Sequence, residues 1–110
     1  MELIEQVLPD RVVVLQPRER VTLENEADLK EVIGRHLRAG RVRLVLDLAL
    51  VPYIDSCGLG TIVQAHLNSL RAGGWLKLQN VTGRNFQLLS VTRLLDVIGI
   101  YAPQPRAASA

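Results

Sequence analysis

Hydrophobic and polar positions change their period several times along this 110-residue chain, and each change marks an element. Residues 2–8 and 11–15 alternate or run apolar on either side of Pro9-Asp10, a turn dipeptide, and predict a strand pair. Residues 16–20 form a polar break. Beyond it Leu29, Val32, Ile33, His36 and Leu37 recur at i, i+3, i+4, i+7 and i+8, the spacing of one helix face. Glu24, Glu26, Asp28 and Glu31 stand toward the start of that helix and Arg35 and Arg38 toward its end, the order its dipole favours. Gly40 stands where such a helix stops. Residues 42–48, Val-Arg-Leu-Val-Leu-Asp-Leu, are rich in β-formers and predict a central strand. A second helix begins near residues 56–58. It carries Leu59, Ile62, Val63, His66, Leu67 and Leu70 on one face and ends at Gly73-Gly74. Residues 75–79 predict a further strand, residues 82–95 a helix with a break near Val91-Thr92, and residues 97–101 a short last strand.

A strand pair followed by alternating helices and strands describes an α/β sandwich with a mixed sheet of four to five strands. Crossovers through helices of this length make the later strands parallel. Residues 1–101 fill one domain, and the Pro/Ala/Ser-rich residues 102–110 are expected to form a flexible tail. Composition narrows the task by exclusion. A formal charge of +2 and only four aromatic residues give no nucleic-acid footprint. One cysteine, Cys57, excludes an internal disulfide and a cysteine zinc cage. The apolar stretch of residues 44–54 is interrupted by Asp47 and Pro52 and is far short of the roughly 20 residues of a membrane helix. The acidic start MELIEQVL is unlike a secretory signal. The expectation is a soluble cytoplasmic domain without membrane insertion or direct nucleic-acid binding.

The densest chemistry lies in Tyr53-Ile54-Asp55-Ser56-Cys57-Gly58-Leu59-Gly60, a strand end running into a helix start. Asp55 or Ser56 suits the helix cap. Gly58 and Gly60 fall in the first turn, where each costs about 1 kcal/mol relative to alanine, so close backbone approach or a docking partner is implied. An exposed hydroxyl at a helix N-terminus is also a favourable place for phosphate. A phosphate-cradling P-loop is ruled out by the missing lysine, since Lys30 and Lys77 are the only two in the chain. A nucleophile elbow fails because Ile54 occupies the place of its first glycine. His36 and His66 lie on apolar stripes and are expected as satisfied core-edge histidines, with Cys57 as a small packing residue. Two histidines on separate helices do not match zinc spacing, so no metal or cofactor is expected. Arg35, Arg38, Arg41 and Arg43 fit a solvated face complementing a helix end. The chain is not expected to be an enzyme.

The run Val42–Leu48 with Val51–Gly60 resembles the signature of STAS domains, specifically bacterial anti-sigma factor antagonists. Residues 73–81 and the leucine pairs Leu88-Leu89 and Leu94-Leu95 also fit, so the likeness covers about residues 10–101. It implies a mixed sheet with helices packed mainly on one face. It implies a switch in which Ser56 is the phosphoacceptor of an anti-sigma factor that is itself a serine kinase, with a phosphatase resetting it. Unphosphorylated, the domain would hold that kinase; phosphorylated, it would be released. Thr22, Asp55, Cys57, Gly58, Leu59, Gly60, Ile62 and Val63 would supply the partner-binding surface. The family commonly has Gly-x-Leu-Asp after its second strand, with the aspartate near the acceptor serine. Here Glu19 replaces that glycine and Thr22 that aspartate. An alternative within the same resemblance is an accessory subunit of a membrane lipid transporter, in which the serine need not be modified. The oligomeric state is left open by the sequence.

Overall fold

In the computed structural model, which describes residues 1–101, the elements follow as β1 (Leu3–Val7), β2 (Val13–Pro17), α1 (Glu26–Arg38), β3 (Arg43–Asp47), α2 (Ser56–Arg71), β4 (Trp75–Gln79) and α3 (Gly83–Val91). A 3-10 turn at Leu94–Asp96 comes after α3. Strand order in the sheet is the chain order, β1-β2-β3-β4. The hairpin β1–β2 is antiparallel, with Val7 opposite Val13 and Leu3 opposite Pro17. Strands β2, β3 and β4 are parallel because a helix joins each successive pair. This is the mixed α/β sheet the pattern predicts, with four strands among the described residues. Residues 97–101 add one bridge, Ile100 to Leu78, in place of a fifth strand. The expected tail, residues 102–110, lies outside the described residues.

One boundary differs from the hydropathy pattern for a local reason. The turn after β1 is longer than Pro9-Asp10: the Arg11 N–H donates to the Leu8 carbonyl (2.8 Å), and Arg11 sits at φ +68°. That left-handed residue cannot continue a strand, so β2 starts at Val13 and runs on through Gln16 and Pro17 opposite Ile4 and Leu3. The third helix stops at Val91, at the break the pattern predicts, and Arg93, at φ +62°, turns the chain before the 3-10 turn.

Helices cover one sheet face. Val13, Leu15, Leu44, Leu46, Leu76 and Leu78 are buried there in register, and Leu29, Ile33, Ile62 and Ala65 of α1 and α2 close the core over them. A fully buried leucine contributes about 1.5–3 kcal/mol, so these rows fix which face the helices take. The opposite face carries Val14, Gln16, Asp47 and Gln79, and Lys77 lies 4.5 Å over the Trp75 ring. Asp47 is buried, yet its carboxylate is fully engaged. Oδ2 accepts from the side-chain amides of Gln16 (3.3 Å) and Gln79 (3.0 Å); Oδ1 accepts from Asn80 Nδ2 (3.1 Å) and the Ala49 N–H (2.9 Å). It therefore ties together the C-terminal ends of β2, β3 and β4.

The buried stripe of α2 is rotated from the expected one. Gly58, Thr61, Ile62, Ala65, His66 and Ser69 face inward, whereas Leu67 and Leu70 are exposed. Small residues win the inner face because they let the helix approach its neighbours. Their hydroxyls are satisfied: Ser69 donates within the helix to the Ala65 carbonyl (2.8 Å), and Thr61 donates across to Glu26 of α1. His36 behaves as expected for a core-edge histidine. Its Nδ1 accepts from Arg41 Nε (2.8 Å), which leaves Nε2 to donate to Glu5 Oε1 (2.6 Å). His66 is buried as well, but its Nδ1 has no partner among the described residues. The arginine group is spoken for within the chain. Arg35 pairs with Glu5 (2.9 Å), Arg38 with Glu31 (3.2 Å), Arg41 with His36, and Arg43 donates to the Asp10 carbonyl (2.7 Å).

Candidate functional site

Two loops meet where β3 leads into α2. Val21 and Ile54 form a parallel bridge: the Val21 N–H donates to the Tyr53 carbonyl (3.0 Å), and the Asp55 N–H donates to the Val21 carbonyl (3.2 Å). The β2–α1 loop is thereby fastened beside the β3–α2 loop. Asp55 then closes the junction with its side chain. Oδ1 accepts from the Gly58 N–H (2.8 Å), capping α2, and Oδ2 accepts from the Leu23 N–H (3.0 Å) of the other loop. Bonds from Gly58 and then Leu23 hold the Asp55 carboxyl below its ordinary range. The aspartate, and not Ser56, is the cap.

That division of labour leaves Ser56 exposed as the first residue of α2. Next to it Cys57 is partly buried and Gly60 is exposed. The two glycines differ. A Cβ at Gly58 would come within 2.3 Å of the Val21 carbonyl oxygen, so only glycine lets α2 seat against the loop. A Cβ at Gly60 would meet nothing within 4 Å. Gly60 lies one turn beyond Ser56 on the same helix face and keeps the surface beside the serine open.

The residues expected to form the partner surface divide accordingly. Asp55, Cys57, Leu59 and Val63 are partly accessible and Gly60 is exposed. Thr22, Gly58 and Ile62, expected on the same surface, are buried, although Thr22 still lines the concavity beside Asp55. Thr22 is turned inward because it organises the entry to α1: its Oγ1 accepts from the Glu24 N–H (3.3 Å) and its carbonyl from the Glu26 N–H (2.8 Å). Ile62 is part of the core. Glu19, in the family's glycine position, accepts from the Glu2 N–H (2.5 Å) and Asn25 Nδ2 (3.0 Å) and so ties the loop to the N-terminus.

Several residues of the site are not evident from the sequence. A concavity of about 330 Å³ at the serine is lined by Glu26 and Lys30 of α1 and by Thr61 and Gln64 of α2, besides Ser56, Cys57 and Gly60. Glu26 takes a hydrogen bond from the Thr61 hydroxyl and pairs with Lys30 Nζ at 3.2 Å. The Thr61 bond and then Lys30 hold the Glu26 carboxyl below its ordinary range, while the nearby negative charge of Asp55 pushes the other way. Two carboxylates therefore flank Ser56, one from each loop-and-helix unit. The i, i+4 spacing of Glu26 and Lys30 marks a helix pair, but only the packing of α1 on α2 puts that pair beside the serine. On the other side of Asp55, a second concavity of about 360 Å³ is lined by Arg20, Leu23, Glu24 and Tyr53. Leu23 is 70% exposed and Tyr53 41%, so two apolar side chains stand at the surface beside Asp55. Among the described residues no cluster of three His, Cys, Asp or Glu could hold a metal ion. No described helix is long and apolar enough to cross a membrane.

Comparison with known proteins agrees with this geometry. The STAS domain family matches residues 4–106. A Thermotoga maritima protein named "putative anti-sigma factor antagonist" is 32% identical over 93 residues, covering 84% of this chain and 82% of the relative. A crystal structure of a Thermotoga maritima protein of the same name aligns with a TM-score of 0.83 at 28% identity, over 97% of this chain and 92% of that one. The Bacillus cell fate determinant SpoIIAA in its phosphorylated form shares the fold, with a TM-score of 0.72 at 12% identity over 91% of both chains. The match spans the sheet, the helices on its one face and the serine-bearing junction, and this chain belongs to the STAS domain family.

Proposed function

We propose that this protein is an anti-sigma factor antagonist that works as a phosphorylation-controlled binding module, with Ser56 as the phosphoacceptor. Its partner is an anti-sigma factor with serine kinase activity. The unmodified domain binds that kinase, modification of Ser56 ends the complex, and a phosphatase restores it. The observation that carries the proposal is the exposed Ser56 at the start of α2, flanked by the Asp55 and Glu26 carboxylates. The name carried by the Thermotoga maritima relative supports the antagonist assignment, and with it a binding protein in place of an enzyme.

Electrostatics supplies the switch. Asp55, Glu26 and Lys30 sum to −1 around the serine. A phosphoserine adds about −1.5 to −2, so the local charge becomes roughly −2.5 to −3. Like charge brought against a partner costs several kcal/mol, and each 1.4 kcal/mol is tenfold in affinity. Asp55 stays bound to two backbone N–H groups throughout, so release needs no rearrangement of the fold. Leu23 and Tyr53 supply apolar contact beside the charged switch, as expected of interface anchors.

The direct test combines the protein with its anti-sigma factor and ATP and locates the modification by mass spectrometry. Phosphate is expected on Ser56. The variant Ser56→Asp is expected to weaken binding roughly 10- to 100-fold in a titration calorimeter. Phosphate on another residue, or an unchanged Kd for the variant, would refute the proposal.

A further inference from the structure

The pocket at Ser56 contains a cation that the switch described above counts only as part of a net charge. Lys30 is the one cation among the described residues lining it. Its ammonium lies 3.2 Å from Glu26 Oε2, and the two side chains are held very differently. Glu26 is only 17% exposed and is fixed a second time by the hydroxyl of Thr61, itself 2% exposed in the α1–α2 contact. Lys30 is 56% exposed on a flexible four-carbon stem. The anion of the pair is anchored and the cation is free to swing.

Building on the proposed phosphorylation of Ser56, we infer that Lys30 is the counter-ion of the Ser56 phosphate, drawn from Glu26 when the phosphate arrives. A phosphate of charge near −2 outcompetes a single carboxylate for one ammonium. The meeting place is open, because Gly60, one turn beyond Ser56 on the same face, has no side chain and clear space around it. Glu26 does not follow its partner, since Thr61 keeps it in place. Modification therefore exposes two new negative groups to a partner, the phosphate and a carboxylate that has lost its cation. The other charged groups nearby are Asp55, bound to backbone N–H groups, and Arg20 and Glu24, which line the neighbouring concavity beyond Asp55.

The test uses the full chain with phosphoserine installed at position 56 during translation, and follows the phosphorus NMR shift against pH. An ordinary phosphoserine has its second pKa near 6. Lys30→Met is expected to raise the value by about half a unit, a threefold change in proton affinity. Lys30→Arg is expected to restore it. Glu26→Gln is expected to lower it, because it removes a negative neighbour and frees Lys30 at once. Unfolding midpoints of the unmodified Lys30 variants are expected to stay within a degree or two of the parent, as the exposed lysine contributes little to stability. Identical titrations for the parent and Lys30→Met, or a raised value for Glu26→Gln, would overturn the inference. The titration involves no kinase and no anti-sigma factor. A phosphorylated protein that still binds its partner would thus defeat the proposed function while leaving the Lys30 result standing.

Discussion

The inner and outer sides of the first two turns of α2 are built to different ends. On the inner side Gly58, Thr61 and Ile62 have no freedom: Gly58 abuts the Val21 carbonyl, Thr61 is bonded to Glu26, and Ile62 is fully buried. On the outer side Ser56 and Gly60 are exposed, and Gly60 has open space around it. Nothing in the packing requires glycine at position 60. The helix gives up about 1 kcal/mol there without an internal reason, which is what the proposed docking surface would require. The same residue type thus answers to the fold at position 58 and to the surface at position 60.

Substitutions that exchange the two sides test this contrast. The largest effect is expected for Gly58→Ala, whose methyl group must displace α2 from the Val21 backbone. It should lower stability by roughly 2–3 kcal/mol in urea unfolding, with loss of partner binding as a consequence. Preserved stability would mean the two loops separate without penalty. Asp55→Ala belongs to both sides and is expected to lower stability less than Gly58→Ala, through loss of the cap and of the bond to Leu23. Its effect has a pH signature. The folded-state carboxyl titrates below its ordinary range, so its stabilisation is fully present above about pH 5 and fades as pH falls through the lowered value. The parent and Asp55→Asn should therefore converge in stability as pH falls through that lowered value, as read from thermal unfolding across acid pH. The smallest effect on the fold, and opposite in sign, is expected for Gly60→Ala. This variant should gain about 0.5–1 kcal/mol in unfolding while binding the anti-sigma factor more weakly, since a methyl group enters the docking surface. A gain in stability with unchanged Kd would show that position 60 is a simple defect in the helix.

Much of the architecture could be read from the pattern, and the failures are instructive. The leucine and valine rows of β2, β3 and β4 show in the sequence because period-two burial leaves a strong trace. The start of β2 does not, because Arg11 adopts a left-handed conformation that no residue-type rule anticipates. The inward face of α2 is misplaced because Thr61, Ala65 and Ser69 pack better than Leu67 and Leu70 against close neighbours, a choice hydrophobicity alone cannot signal. At the site, Asp55, Ser56 and the two glycines stand together in the chain and were open to inspection. Glu26, Lys30 and Thr61 were not, since 26 and 61 are far apart in sequence and meet only through the contact of α1 with α2.

The sequence by itself determined the order of elements, the mixed sheet and the position of Ser56 at a helix start. These rest on periodicity and on short-range stereochemistry, which neighbouring residues carry among themselves. Tertiary structure alone decided that Asp55 is the cap and Ser56 the exposed group, that Thr22 is buried, and that Glu26 and an exposed Lys30 line the concavity at the serine. The physical reason is that a charge's environment is set by whatever folds against it. For Ser56 that environment comes from a helix 30 positions earlier in the chain.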